Sequence, residues 1–467
     1  MCYTLPKIWQ ARIQKYWDKV MPANYPKSDS VFSLTFDNAE DKAAVTEFEE
    51  TIKSEESVVA TSIPEGHFFT EYLGCYDVTT DVDPIPEEGI YTLLSPEKVT
   101  TDDTVTALHY ENGEWVVVED AAVVDGYVYG TLKSFSPVAI VFSKKDIHEE
   151  TMTISGVGNV CVCEGNPVVV KPGTDGYYHI VSQSSGKDIK ITKSTLIVGG
   201  SIDGTPIKET SVNLVNVRNR YAIPKVIGGS YNITNETLTT VDTVNVYYED
   251  SASTGVTGSF GAVRTNNVNI TLNNSKLDWL GAGEGYAKLN TPPVSFASTA
   301  WAKNINIVIE NTTIELAFIG SNCEYFYANK SNAKITGSTF GYLISGCSND
   351  GMGDSFMEVA DSTIGIYQSV NRGNVVSAEA RFKNCTVDNL YIGGDASDKT
   401  VTGTTEHIKV DIAEGGTYNI VAGTEAGAAI TKEFVDKVVE SVKVSRAAAI
   451  TITDDFKAML GSKLVIK

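Results

Sequence analysis

The stretch INIVIENTTIELAFIG, residues 305–320, alternates apolar and polar side chains, breaks at a polar turn, and resumes in a second short strand ending on Gly. Alternation with period two marks a strand with one buried face. Five other stretches share this design: VNITLNNSKLDWLG (268–281), AKITGSTFGYLISG (333–346), MEVADSTIGIYQSV (357–370), ARFKNCTVDNLYIGG (380–394) and IKVDIAEGGTYNIVAG (408–423). Aligned on the apolar residue after the turn, they place Leu277, Ile314, Phe340, Ile364, Val387 and Tyr418 in one phase. The steps are 37, 26, 24, 23 and 31 residues. A repeat near 24 residues that lengthens by insertion is expected of a parallel β-helix, whose coils stack through parallel hydrogen bonds. No single coil can bury its own apolar face, so several must stack. An antiparallel β-sandwich also gives short strands and regular turns, but it does not call for repeats in one phase. The turns hold Asn274, Asn311, Asp361 and Asn384, whose side chains are placed to bond along the stack. Upstream, LIVGGSIDG (196–204) and VIGGSYNIT (226–234) read as degenerate coils with Gly pairs at tight corners.

The rest of the chain is differently composed. In residues 1–55, Lys7–Val20 reads as a short helix stopped by Pro22 and Pro26, and SVFSLTF (30–36) as a strand. Asp37–Ser54 reads as an amphipathic helix capped by Asp37, with Ala44, Val45, Phe48 and Ile52 on one side. Residues 56–143 read as a small β-domain. There TVTALHY (104–110) and EWVVVE (114–119) flank Asn112-Gly113, a pair suited to a two-residue hairpin, and Asp125-Gly126 marks a second turn before Tyr127–Leu132 and Val138–Phe142. Residues 144–190 follow as a neck, 191–430 as the coils and 431–467 as a cap. In the cap, Thr431–Val444 carries Phe434, Val438 and Val442 at helical spacing, a helix is expected around Asp454–Met459, and KLVIK forms a strand. The expected fold is mainly β: a small N-terminal α/β docking module, an Ig-like β-sandwich, a right-handed parallel β-helix (β-solenoid) and a C-terminal cap.

Composition narrows the function. Of 467 residues, 59 are Asp or Glu and 37 Lys or Arg, a net charge of −22. That field repels phosphate backbones and anionic lipid, so neither nucleic acid nor a polybasic membrane contact is expected. No run approaches the ~18 apolar residues of a membrane span. MCYTLPKIWQARIQKYWDKV lacks the apolar core of a signal peptide, so general secretory export is not expected, although the Gly-, Thr-, Ser- and Asn-rich body suits an exterior surface. The seven cysteines are odd in number and scattered, which argues against a disulfide framework. Cys161 and Cys163 share a strand face without completing a zinc set, and they read as buried thiols. The five histidines are dispersed, and no nucleophile motif or phosphate loop is present. No metal or cofactor is expected.

The insertions fall in one phase, after the second strand: Ala282–Lys303, Ser321–Asn332, Cys347–Phe356, Asn371–Ala378 and Asp395–His407. Loops in one phase stack into a wall. It carries Glu284, Tyr286, Trp301, Glu324, Tyr325, Tyr327, Asp350, Asp354, Arg372, Asp395 and Asp398. Rings stack on sugar faces and carboxylates accept from hydroxyls, which makes Tyr286, Trp301, Tyr325, Tyr327, Asp350 and Asp354 the candidate carbohydrate contacts. Within SNDGMGDSFMEVADS (348–362), Asp350, Asp354, Glu358 and Asp361 are where a glycosidic acid pair would sit. The same spacing suits Ca²⁺ but lacks the full loop pattern. Solvated acidic loops are the plainer reading, and no catalytic residue is assigned.

The run HYENGEWVVVED…DGYVYGTLKSFSPVAIV (109–141) resembles the closing half of small Ig-like sandwiches of bacterial surface and phage proteins. The whole layout resembles bacteriophage virion appendages: head fibres, tail fibres and tailspikes. The resemblance implies a structural, trimeric virion protein assembled in the host cytoplasm. Residues 1–143 would dock on other virion proteins of the capsid or tail, and residues 150–467 would project toward host polysaccharide. Two rivals remain: a polysaccharide-degrading tailspike using the loop wall, and a bacterial surface adhesin.

Overall fold

The computed structural model describes residues 30–54, 57–152, 154, 157–192, 194–218, 224–232, 238–283, 300–320, 326–346, 352–370, 375–393, 407–423 and 430–467. It is mainly β, 57% strand against 10% helix. The chain packs as two units divided between Asp146 and Ile147.

The first unit is antiparallel. A five-stranded sheet runs in the order Val31–Ser33, His67–Thr79, Pro137–Lys145, Thr104–Glu111, Glu114–Val117. A three-stranded sheet orders Ile90–Leu93, Tyr127–Leu132, Ala122–Val124. Both expected hairpin turns form, with Asn112, Gly113, Asp125 and Gly126 all at positive φ. Phe32, Tyr76, Leu93, Val128, Ile140 and Phe142 fill the space between the sheets. The other face of the larger sheet is covered by the helix Ala39–Thr51, whose Val45 and Phe48, with Ile52 at its C-cap, pack on Leu108, Ala139 and Val141. Its cap is Asn38 rather than Asp37: the Asn38 carboxamide accepts the Glu40 N–H at 2.9 Å. Strand Val31–Ser33 and this helix are built into the sheet of residues 67–145, so the boundary expected at residue 55 falls inside a packed unit. The expected helix Lys7–Val20 lies outside the described residues.

In the second unit the chain alternates between two 13-stranded sheets. The short-strand sheet includes Thr195–Val198, Lys225–Ile227, Gly255–Thr257, Lys276–Gly281, Thr313–Phe318, Thr339–Ile344, Thr363–Gln368, Cys385–Tyr391 and Gly416–Val421. The long-strand sheet includes Ile207–Val215, Thr239–Glu249, Val263–Asn273, Ala300–Glu310, Phe326–Thr336, Met352–Ala360, Val375–Lys383 and His407–Ile412. The strands that join one coil to the next pair in parallel throughout these lists, as a β-solenoid requires. The six residues aligned in the sequence form one in-register row, Leu277–Ile314–Phe340–Ile364–Val387–Tyr418, each at most 2% exposed. Across the core, Ile305, Ile307 and Ile309 stack between Val268, Ile270 and Leu272 on one side and Ser331, Ala333 and Ile335 on the other. Each buried Ile contributes about 1.5–3 kcal/mol, so these columns dominate the stability. The LIVGGSIDG and VIGGSYNIT stretches also pair in parallel. Gly199 approaches its neighbour so closely that a Cβ would lie 2.0 Å from the Gly228 carbonyl oxygen.

Of residues 144–190, expected as a neck, the first three end the first unit and those from Ile147 on belong to this one. Asn159–Val162 and Val168–Pro172 begin the two sheets in parallel with the following coil. His148–Glu150, Tyr178–Ser182 and Asp188–Ile191 add antiparallel strands outside them. At the other end, helices Lys432–Val438 and Asp454–Leu460 are capped by Thr431 and Thr453, and Val435, Val438, Phe456 and Leu460 enter the core. The helical spacing read through Val444 ends at Val438, because Val439–Val444 takes parallel register with His407–Ile412.

Candidate functional site

Seven coils turn from long to short strand on one residue in the left-handed region: Asn216, Asp250, Asn274, Asn311, Gly337, Asp361 or Asn384, with φ between 46° and 60°. Asn, Asp and Gly reach this conformation at least cost. From Asp250 onward the next residue is Ser251, Ser275, Thr312, Ser338, Ser362 or Cys385. Each of the five hydroxyls donates to the carbonyl two residues back. It also accepts an amide N–H from the preceding coil. Ser275 takes that of Ser251 at 3.2 Å, Thr312 that of Ser275 at 3.2 Å, Ser338 that of Thr312 at 3.1 Å, and Ser362 that of Ser338 at 3.0 Å. At the last of these corners Gly416 has no side chain, and the Tyr418 hydroxyl accepts the Cys385 N–H at 3.1 Å. The axial side-chain bonds expected in the turns are present from Asn274 to Asp250 and from Asn384 to Asp361. A longer ladder, missed in the sequence, runs up the outer face of the long-strand sheet. Asn306 donates to Asn269 at 3.0 Å, Asn269 to Asn245 at 2.9 Å, and Asn245 to Glu209 at 2.8 Å. Its signal was the Asn in second place of VNVYY, VNITL and INIVI.

The opposite corner, from short strand to the next long strand, takes the five insertions between Ala282 and His407. Here the sequence boundaries need correction. Long strands begin at Ala300, Phe326, Met352, Val375 and His407, so Trp301, Tyr327 and Asp354 stand on strands rather than in loops. The parallel ladder extends past the alternating core segment into residues without clean alternation. Trp301 pairs in register with Arg264 and Tyr327, and Asp354 with Lys330 and Ser377. Trp301 and Tyr327 thus share adjacent strands, while Asp354 lies one strand further and three positions along. Tyr286, Tyr325 and Asp350 lie outside the described residues, as do Glu284, Glu324, Arg372, Asp395 and Asp398. Asp354 and Glu358 sit four residues apart on one strand, roughly 13 Å along the backbone at ~3.3 Å per residue. Glu358 instead meets Arg381 at 3.6 Å, and Asp361 occupies a turn.

The two outer faces differ. On the long-strand sheet one row reads Lys334, Glu358, Arg381, Asp411, Lys443, with alternating sign. On the short-strand sheet the row Trp279, Leu316, Tyr342, Ile366 is half-buried and in register. Beside it lie exposed Asp278 and Glu315, then an exposed threonine row, Thr313, Thr339, Thr363, Thr386 and Thr417. On the first coils this same face is covered by the chain itself: Met152, Ile154, Val157, Tyr231 and Phe260 pack on Val160, Val162, Leu196, Val198 and Ile227.

Among other polar clusters, His179 is held between Asp175, at 2.9 Å from Nε2, and Asp188, at 3.0 Å from Nδ1. The hydrogen bond to Asp175 chiefly raises the His179 pKa against the opposing effect of burial, and it lowers Asp175 to about 2. Cys161 and Cys163 are fully buried in the core, where their mutual hydrogen bond and then burial push the Cys163 thiol up. Among the described residues no cluster of three His, Cys, Asp or Glu side chains is placed to hold a metal, and no helix is long and apolar enough to cross a membrane. Comparison with family models, curated proteins and solved structures found no match to this chain.

Proposed function

We propose that the chain is a structural protein of a bacteriophage virion: a homotrimeric fibre attached to the head or tail through residues 1–143, with its coil unit serving host or glycan adhesion. In this reading the two-sheet first unit is an Ig-like sandwich and the second a right-handed parallel β-helix. Assembly takes place in the host cytoplasm, and neither nucleic acid nor membrane is a partner. The observation that carries the reading is the division of labour between corners. One corner is locked from coil to coil by hydroxyl–amide bonds, and the other receives the five insertions between Ala282 and His407. A scaffold that holds its core constant while varying one side suits recognition outside a cell. Antibody labelling of purified particles and mass measurement in solution test the proposal. Labelled virions and a trimeric mass support it, whereas a monomeric full-length chain absent from particles overturns it. Release of reducing ends from host capsule would point to the enzymatic rival.

A further inference from the structure

We infer that Asn112 is a site of spontaneous deamidation, converting in the folded chain to a mixture of aspartate and isoaspartate. The inference does not depend on the virion reading above. Asn112-Gly113 is the only Asn-Gly pair in the 467 residues. It forms the two-residue turn between the strands Thr104–Glu111 and Glu114–Val117, with both residues at positive φ. Both are exposed, and a Cβ added at Gly113 would meet no atom within 4 Å. Among the described residues the Gly113 N–H donates to no acceptor and the Asn112 carboxamide has no partner. The reaction needs only water. The Gly113 nitrogen gives its proton to a solvent base and attacks the Asn112 Cγ, unhindered by a Cβ of its own. The new N–C bond closes a five-membered imide. The Cγ–Nδ2 bond breaks, and the side-chain nitrogen departs as ammonia after taking a proton from water. A second water opens the imide at either carbonyl, which leaves α-linked aspartate or β-linked isoaspartate.

The corner asparagines share the left-handed backbone but not this freedom. The N–H after Asn216 is held by the Ser251 hydroxyl at 3.2 Å, and that after Asn274 by Thr312 at 3.2 Å. The N–H after Asn311 is held by Ser338 at 3.1 Å, and that after Asn384 by Tyr418 at 3.1 Å. Val217, Ser275, Thr312 and Cys385, which own those amides, are buried. A nitrogen that must become the nucleophile is thus already committed and shut away from base, so the hydroxyl ladder protects the corners chemically. Asp125-Gly126 makes a similar turn, but a carboxylate is a poorer electrophile than a carboxamide. The Lys98 side chain also lies over it, 2.9 Å from where a Cβ on Gly126 would stand. The consequence at Asn112 is local. Its turn sets the register of Tyr110 with Trp115 and of Leu108 with Val117. Isoaspartate adds a methylene to the main chain inside that turn, and either product sets a new carboxylate beside Glu111 and Glu114. The edge strand then loosens, and with it Trp115, whose ring centroid lies 4.7 Å from that of Phe48 and 5.3 Å from that of Tyr110.

The test is peptide mapping of the full chain, aged in mildly alkaline buffer, by mass spectrometry with a fragmentation that separates aspartate from isoaspartate. In the folded chain Asn112 should convert at least about tenfold faster than Asn274, because the Ser275 amide must first break free of its acceptor. In urea Asn274 should lose that protection and convert as well. Hydrogen exchange at Trp115–Val117 should quicken in the aged parent. Asn112→Gly, which keeps a residue suited to positive φ, should age without conversion or quickened exchange. Asn112 that survives in the folded chain yet converts in urea overturns the inference, since the turn would then protect it. Conversion of Asn274 at the same rate in the folded chain overturns the shielding by the ladder, and unchanged exchange in a converted chain overturns the loosening of the edge strand.

Discussion

The two corners of the coil unit obey opposite rules. Between Asn273 and Lys276, or between Glu310 and Thr313, only two residues make the turn, one at positive φ and one with a buried hydroxyl. At the other corner the connection runs from five residues (258–262) to 18 (282–299). Backbone amides explain the contrast. At the tight corner the N–H after each left-handed residue is buried and needs an acceptor, which a Ser, Thr or Tyr hydroxyl supplies from the next coil. That requirement fixes length and residue type together. At the broad corner coil-to-coil amide bonds hold the first residues, as from Ile319 to Ile344 and from Ser345 to Gln368, and the number of residues that follow varies.

The most forceful way to break this comparison is to lengthen each corner equally. Four residues inserted after Asn311 should cost on the order of 5 kcal/mol or abolish folding of the coil unit, because Thr312 is displaced from both the Ser275 amide and the Ser338 hydroxyl. The same four residues inserted after Asp395 should leave the thermal melt nearly unchanged. Equal losses in the two variants would mean that the corners do not differ. Removing single acceptors comes next. Ser338→Ala strands the Thr312 N–H, and Tyr418→Phe strands that of Cys385, so each should cost about 1–3 kcal/mol in urea unfolding. A loss below half a kcal/mol in both would show that water or relaxation replaces the ladder. Conformation alone should weigh slightly less. Asn311→Val at φ 49° should cost about 1–2 kcal/mol, with Asn311→Gly close to neutral.

The smallest effect belongs to the start of the unit, where a hairpin replaces both kinds of corner. His179 should titrate above 6.5 by NMR, and Asp175→Asn should bring its midpoint down. A group whose folded pKa is raised stabilises below its unfolded value and loses that contribution as pH climbs through the folded one. Asp175, lowered from 3.8 to about 2, behaves in the opposite sense and loses its contribution as pH falls through that range. The clasp should therefore hold best from about pH 4 up to the raised pKa of His179, and a midpoint at or below 6.5 would show that the clasp does not form in solution.

Much of the coil unit was legible. Alternation set the phase of Leu277, Ile314, Phe340, Ile364, Val387 and Tyr418, because a buried row tolerates only apolar side chains. The turns were legible through Asn and Asp, which reach positive φ cheaply. The beginnings of the long strands were not. Ala300–Lys303 and Met352–Asp354 pair through the backbone without clean alternation, so they passed for loop, and Trp301, Tyr327 and Asp354 were misplaced with them. Val438 and Val442 fit a helical period equally well, and only pairing with Ile408 and Val410 makes the second a strand residue. The Trp279 row went unremarked because alternation assigns such positions to solvent, whatever their side chains.

The hydroxyl ladder also has a mechanical consequence. Its bonds, like those of both sheets, run along the stack from one coil to the next. A pull on the two ends of the stack therefore loads the coils in series, and every interface feels the full force. The yield point is then set by the weakest interface rather than by the sum, and extension would proceed by shedding one coil at a time. Cys385, where a thiol takes the place of a hydroxyl and a tyrosine from the next coil completes the chain of bonds, is the natural place for the first slip.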